Sequence, residues 1–267
     1  MSDTPLERLE SWFTTINGSL TAFSGGVDSA LVLYLAHRFL GDRAVGVIAD
    51  SPSLKRSDLQ QAKDFCAKFG IQLRIIETQE LDKESYASNP FNRCYYCKDT
   101  LYETMNVLAD EYPGFTILNG TNTDDLGDYR PGLQAAKERS ARSPLAECQI
   151  DKSTVRSLAL EFHLPNWDKP ASPCLSSRIP YGNAVTREKL SQIEAAEQIL
   201  TKLGFIEARV RHFDKEAKIE VPTKDLPRLQ QLGTAPLDAI KALGFETVII
   251  DNEGLVSGKL NRALPNK

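Results

Sequence analysis

No apolar run in the sequence approaches the roughly 20 residues that a bilayer crossing needs; Ala30 to Ala36 is among the longest. No membrane-spanning segment or membrane partner is therefore expected. The first residues, Met1-Ser2-Asp3-Thr4-Pro5, have neither a basic n-region nor an apolar h-region, so no signal peptide is expected and the expected compartment is the cytoplasm. Basic residues are in slight deficit, 32 Lys and Arg against 36 Asp and Glu, for a formal net charge of −4. Wholesale binding of nucleic acid or of an anionic surface is thereby disfavoured. There are no internal repeats and no low-complexity tracts. What is present is enough apolar material, 41% of 267 residues, for one large or two modest domains rather than a disordered chain. Five cysteines in a cytosolic chain read as metal-binding, redox or catalytic candidates rather than as a disulfide framework.

Short β-like runs alternate with helical stretches through the first two-thirds of the chain. Ser19 to Phe23, Ala44 to Ala49, Leu73 to Ile76 and Thr116 to Leu118 have strand character. Ala30 to Leu40, Leu59 to Phe69 and Lys98 to Ala109 have helical character, with Gly70 as a C-terminal stop. Strands separated by helices of this length predict parallel pairing, an α/β domain with ligands at the carboxyl ends of the strands. Pro165 to Gly182 holds four prolines and no periodicity. Past it, Leu190, Ile193, Ala196, Leu200 and Leu203 share one face of a helix over Thr186 to Leu203. Ala208 to Phe213 and Lys218 to Val221 alternate around Asp214-Lys215-Glu216 as a hairpin, and a helix (Leu237 to Leu243) and a strand (Thr247 to Ile250) follow. The expected domains are therefore 1–175, α/β with a parallel sheet, and 176–267, a small α+β unit.

Ser24-Gly25-Gly26-Val27-Asp28-Ser29, between a strand and a helix, is the strongest local signal. Adjacent glycines permit close backbone approach, and their N–H groups, with those opening the helix, suit an anion. Ser24 and Ser29 add hydroxyl donors, and Asp28 is a candidate to hold a Mg2+ ion that bridges phosphates. The loop lacks the Gly-Lys-Ser/Thr ending of a P-loop and the spaced glycines of a dinucleotide fingerprint. It resembles the loop of the ATP-pyrophosphatase (PP-loop) superfamily, pattern Ser-Gly-Gly-x-Asp-Ser, whose members cut ATP between the α and β phosphates and adenylate a substrate oxygen. A turn that merely joins strand to helix is the plain alternative. Asp50, at the end of the second strand, lies near the adenosine in related enzymes and is a secondary candidate; a strand-end turn residue explains it equally well.

Three more segments narrow the resemblance: Asn92-Arg93-Cys94-Tyr95-Tyr96-Cys97-Lys98, Asn119-Gly120-Thr121-Asn122 running on to Asp128-Tyr129-Arg130-Pro131-Gly132, and Cys174-Leu175-Ser176-Ser177-Arg178-Ile179-Pro180-Tyr181-Gly182. With Arg209-Val210-Arg211 and Ile219-Glu220-Val221-Pro222, the chain resembles the LarE family over nearly its whole length. These are ATP-dependent sulfur transferases of nickel-pincer nucleotide (lactate racemase cofactor) synthesis. The resemblance implies an adenine nucleotide alpha hydrolase-like domain followed by the α+β domain, with ATP and Mg2+ as cofactors. It implies a small nucleotide substrate, pyridinium-3,5-biscarboxylic acid mononucleotide, one carboxylate of which is adenylated and then converted to a thiocarboxylate. It also implies a homo-oligomer, a trimer-based hexamer.

The sulfur source divides the readings. Sacrificial members of the family carry an aromatic and an alanine at the positions of Cys94 and Cys97, and their donor cysteine at the position of Pro173. Here Cys94, Cys97 and Cys174 match cluster-dependent members, in which three thiolates hold a [4Fe-4S] cluster with one iron open to sulfide. The alternatives are Cys174 as a sacrificial or persulfide donor, and zinc, for which only His37, His163 and His212 are available as further imidazole ligands. Cys66 reads as a core residue and Cys148 carries no assignment.

A polyanionic substrate needs local positive charge. Arg209 and Arg211 share one face of the hairpin, and the resemblance places substrate-phosphate contacts there. Arg178, its neighbour Ser177 and Arg130 complete the candidate substrate set; cross-strand pairing with Glu220 is the structural alternative for Arg209 or Arg211. Glu197 lies beside the apolar stripe of its helix, where a solvated face explains it as well as any chemistry. The competing activities are an ammonia-accepting amide ligase, a tRNA-thiolating enzyme and a nucleotide sensor without turnover.

Overall fold

A computed structural model describes residues 3–127, 131–170, 172–256, 258, 259 and 262. In chain order it runs α1 (Pro5–Phe13), β1 (Ser19–Ala22), α2 (Val27–Leu40), β2 (Ala44–Asp50), α3 (Arg56–Phe69), β3 (Gln72–Glu77), α4 (Glu84–Ala87), α5 (Arg93–Ala109) and β4 (Thr116–Leu118). It continues through α6 (Pro131–Glu138), α7 (Pro144–Glu147), α8 (Lys152–Glu161), α9 (Arg187–Lys202), β5 (Arg209–Phe213), β6 (Glu216–Glu220), α10 (Leu226–Gln231), α11 (Ala235–Lys241) and β7 (Thr247–Ile250). Two compact units result, Met1–Glu80 with Asn92–Ser172, and Leu81–Phe91 with Pro173–Lys267. Among the described residues no helix is long and apolar enough to cross a membrane.

The first unit is α/β, built on a parallel sheet of order β3-β2-β1-β4. Strand β1 is buried along its whole length, as an interior parallel strand covered on both faces must be. Alternation then sorts the side chains. Leu20, Ala22, Val45 and Val47 share an apolar cluster with Tyr102, Met105 and Leu108 of α5. Ala44 and Ile48 share the opposite one with Leu31 and Leu35 of α2. Leu31, Leu33 and Leu35 are fully buried, each contributing about 1.5–3 kcal/mol of transfer free energy, so α2 is pinned by its sides and its start is free for chemistry. Strands β2 and β3 step outward on one side of β1, whereas β4 joins on the other. The order reverses at β1, and a crevice opens at such a reversal beyond the carboxyl ends of the strands. Both β1 and β4 end there.

The second unit is α+β. Strand β6 pairs antiparallel with β5 and parallel with β7. Ala196 and Leu200 of α9 pack with Val210, Ile219, Ile240 and Phe245. The hairpin turn is tighter than the sequence suggests: Glu216 already pairs with Phe213, and Asp214 takes the turn at φ 56°. Leu81–Phe91 belongs to this unit, with Tyr86 Oη 2.7 Å from Ser176 Oγ and Asn89 Nδ2 donating to the carbonyls of Pro180 (2.7 Å) and Asn183 (3.0 Å).

His212 on β5 is buried, its Nδ1 accepting from the Asp214 N–H at 3.1 Å, which leaves Nε2–H to donate to Gln192 Oε1 at 2.9 Å. Burial, and then the charge of Lys189, hold its pKa below the ordinary value of 6.5. The unfolded chain therefore takes up the proton first, and this stabilisation is present above pH ~6.5 and lost as pH falls below it. His212→Gln is expected to flatten the acid side of the melting temperature against pH profile between about pH 7 and 5, as followed by circular dichroism.

Candidate functional site

The Ser24–Ser29 loop lies in the crevice. Gly25 adopts φ 74°, a left-handed conformation that other residues resist, and Gly26 caps α2. Ser24 Oγ lies 3.1 Å from Ser29 Oγ, and Ser29 Oγ donates to the Gly26 carbonyl at 3.1 Å. The amides opening α2 stand at the positive end of a helix dipole. A second segment closes over them: a Cβ on Gly120, just past β4, would fall 2.6 Å from Ser29 N and 2.9 Å from the Asp28 carbonyl carbon. Beside it, buried Asn119 accepts from Thr121 N–H (2.9 Å) and Ser143 Oγ (2.8 Å), while its Nδ2 has no partner among the described residues. A glycine cradle with an orphaned donor at its edge fits a nucleotide.

Asp28 is fixed rather than free. Asn122 Nδ2 donates to one of its oxygens at 2.9 Å, and Lys152, the first residue of α8, pairs with the other. One carboxylate next to a phosphate cradle is the donor set that Mg2+ uses with nucleotides, so the residues fit that ion. Neither Asn122 nor Lys152 figures among the candidates from sequence; nothing local in a lysine opening a polar helix marks it. Asp50 ends β2 in an ion pair with Arg56 at 2.5 Å. A further set of ties has no sequence signal either: Asn166 Nδ2 donates to the Gly25 carbonyl (3.1 Å), while Lys169 and Ser172 donate to Asp58 at 2.9 and 3.0 Å.

The cysteines separate by environment. Cys66 and Cys148 are buried, and burial pushes the Cys66 thiol up to about 12 and raises that of Cys148. Both are protonated packing residues. Cys94 is exposed and Cys97 half-buried near the start of α5, on one helical face by their spacing, and Cys174 is exposed in the second unit. Thiolates are the donors of iron–sulfur clusters, so the donor chemistry fits one. Among the described residues no group of three or more His, Cys, Asp or Glu side chains could hold a metal ion. Helix α5 starts at Arg93 rather than Lys98, because Arg-Cys-Tyr-Tyr-Cys has no apolar periodicity to announce it.

Cys174 caps a short 3-10 turn, Leu175–Arg178. Arg178, 1% exposed, holds that turn from inside: Nη1 donates to the carbonyls of Pro173 (2.7 Å) and Cys174 (3.2 Å) and to Ser177 Oγ (2.8 Å). Its Nε and Nη2 form a fork onto Glu197 at 2.7 and 3.2 Å. Glu197 is therefore not on a solvated face; it is 5% exposed and also accepts from Val210 N–H at 3.2 Å. Arg211 is likewise buried, on Glu220 at 2.9 Å and the Ser177 carbonyl at 2.7 Å, so the pairing alternative describes Arg211. Arg209 differs: among the described residues its side chain makes no hydrogen bond or close ion pair. Burial, then the charges of Arg178 and Arg211, pull its pKa below the usual guanidinium range. An arginine crowded by two others and lacking a carboxylate of its own suits an incoming anion. Arg130 lies outside the described residues.

Relatives now bear on this geometry. The chain is 36% identical, over 91% of its length and 88% of the other, to pyridinium-3,5-bisthiocarboxylic acid mononucleotide synthase of Lactiplantibacillus plantarum. It belongs to the LarE family. An uncharacterized protein of Synechocystis is 45% identical over 99% of both chains. The NAD synthase family model matches residues 13–95, and a subunit of the glutamine-hydrolyzing GMP synthase of Saccharolobus solfataricus is 24% identical over 68% of this chain and 54% of that one. The family-model match contains the Ser24–Ser29 loop, whereas the LarE match extends over most of the chain.

Proposed function

We propose that this protein is an ATP-dependent sulfur transferase that turns a carboxylate of pyridinium-3,5-biscarboxylic acid mononucleotide into a thiocarboxylate, in nickel-pincer nucleotide synthesis. One observation carries the proposal: a LarE-family chain has, in its first unit, a glycine cradle suited to a nucleotide and, in its second, an exposed Cys174 on a turn held from within by Arg178. The substrate carboxylate oxygen attacks the α-phosphorus, the bond to the α–β bridging oxygen breaks, and pyrophosphate leaves. The resulting acyl adenylate is a far better electrophile than the carboxylate, and a sulfur nucleophile then adds to its acyl carbon and expels AMP.

In this reading Ser24, Gly25, Gly26 and Ser29 hold the pyrophosphate end, Asp28 takes Mg2+ and Asp50 faces the adenosine side. Arg209 receives the substrate, with Ser177, Arg178 and Arg211 as the neighbouring candidates of its own unit and Arg130 as a further candidate from sequence. Cys94, Cys97 and Cys174 are the residues that would hold a [4Fe-4S] cluster, which when bound supplies a transferable sulfide and permits repeated turnover. The protein works in the cytoplasm as a homo-oligomer, a hexamer as in its family.

Anaerobic purification with iron and sulfide analysis and a visible spectrum tests the sulfur source. Cys94→Ala or Cys97→Ala is expected to abolish iron binding and repeated turnover. An iron-free wild type that transfers sulfur once, and loses the mass of H2S, overturns the cluster and leaves Cys174 as sacrificial donor, converted to dehydroalanine. Should no pyridine carboxylate nucleotide elicit AMP, the whole reading falls.

A further inference from the structure

Arg209 and Glu220 stand directly opposite each other in the β5–β6 register, where opposite charges ordinarily pair. Here they do not. Glu220, 1% exposed, gives one oxygen, Oε2, to Nε (2.9 Å) and Nη2 (2.8 Å) of Arg211. Its other oxygen, Oε1, lies 3.4 Å from Nζ of Lys259, a residue that no sequence motif singles out. The chain after β7 brings that lysine back. Asp251 N–H donates to the Ile219 carbonyl and Leu255 N–H to the Val221 carbonyl, each at 2.8 Å, so the segment brackets Glu220. The Lys259 ammonium is then fixed by Asp251 Oδ2 (2.5 Å) and the Gly254 carbonyl (3.3 Å), with Glu253 Oε2 at 3.2 Å.

Competition explains what the lysine does for its neighbour. A buried carboxylate draws partners to both oxygens, because leaving one bare is costly. With Oε1 facing Lys259 and Oε2 engaged by Arg211, Glu220 is saturated with positive charge, and half-buried Arg209 stays uncommitted among the described residues. Without Lys259, Oε1 would draw the cation that the register sets opposite it, which is Arg209. An arginine so paired could take an incoming anion only by giving up a buried carboxylate.

We propose that Lys259 is a positioning residue for the substrate: by facing the second oxygen of Glu220 it keeps Arg209 out of that ion pair and open to the anionic substrate. This assignment rests on the reading of Arg209 as the residue that receives the substrate. The other account of the same contacts is a staple that only fastens the chain after β7 to β6.

Isothermal titration of the full chain with pyridinium-3,5-biscarboxylic acid mononucleotide and, separately, with MgATP tells the two apart. Lys259→Met is expected to weaken the mononucleotide by about 10- to 100-fold, the range of a charge-assisted hydrogen bond, while MgATP changes by less than about twofold. Lys259→Arg, which keeps the charge, is expected to hold mononucleotide affinity within about fivefold of wild type. Arg209→Met is expected to weaken the mononucleotide by a similar factor. Adding Lys259→Met to that variant is expected to cost less than about twofold more, because Lys259 acts through Arg209. Unchanged mononucleotide affinity in K259M, equal weakening of both ligands, or single losses that multiply in the double variant overturns the assignment. K259Q provides the same comparison should K259M fail to fold by circular dichroism. A loss in R209M without one in K259M sinks the role of Lys259 alone. A wild type that does not bind the mononucleotide, or an R209M that binds it as tightly as wild type, sinks the reading of Arg209 and Lys259 with it.

Discussion

Replacing Cys174 by alanine is expected to lower thiocarboxylate formation by about a thousandfold or more while ATP–pyrophosphate exchange, driven by the pyridine carboxylate nucleotide, persists near the wild-type rate. In the proposed reaction the two half-reactions are assigned to different chain segments: adenylation to the cradle made by Ser24, Gly25, Gly26 and Gly120, and sulfur addition to the exposed thiol that caps the 175–178 turn. The backbone of that turn is held through the carbonyls of Pro173 and Cys174, so deleting the sulfur leaves its scaffold bonds in place. Exchange that collapses together with sulfur transfer would show that Cys174 acts before the acyl adenylate forms. Product analysis by liquid chromatography, beside a labelled-pyrophosphate exchange assay, decides the matter.

The second large effect is on stability. Arg178→Met is expected to destabilise the protein by about 3–5 kcal/mol, because it leaves the buried Glu197 carboxylate without its fork. Solvation cannot replace the lost partner where both side chains are almost wholly enclosed. Removing both charges with Arg178→Met and Glu197→Leu is expected to recover most of that loss, since an apolar pair of similar volume avoids the stranded charge. The double variant should still handle the Cys174 turn poorly, because the bonds from Arg178 to the Pro173 and Cys174 carbonyls are gone with the guanidinium. Urea denaturation of the two variants reads the energies; a single-variant loss below about 1 kcal/mol would mean that water already reaches the pair.

How far the sequence could be read follows from the range of the interactions involved. Strands β1 to β4 and helices α2 and α3 are announced by local apolar patterning, and the glycine loop by a compact motif in a strand–helix context. Helices α6 and α7 are too short to show a full amphipathic period, and α8 opens with Lys-Ser-Thr, so none of the three stands out. Glu197 escapes a reading from sequence for a related reason. It borders the buried stripe of Leu190, Ile193, Ala196 and Leu200, but a buried carboxylate there makes sense only once Arg178, from outside the helix, is known to meet it. The hairpin arginines illustrate the same limit. Spacing puts Arg209 and Arg211 on one face, yet only the fold shows that Glu220 and the Ser177 carbonyl engage Arg211 and not its neighbour.

The close pass of Gly120 over Ser29 bears on what a loop motif specifies. Two stretches distant in the chain are moulded against each other at less than the width of a methyl group, so six residues spelled in the right order do not by themselves make the receptacle. Grafted onto another strand and helix, Ser-Gly-Gly-Val-Asp-Ser would arrive without the wall that shapes it. The recognition surface is thus a property of the β1–β4 junction as a whole, and a side chain at position 120 would reshape it without touching a letter of the motif.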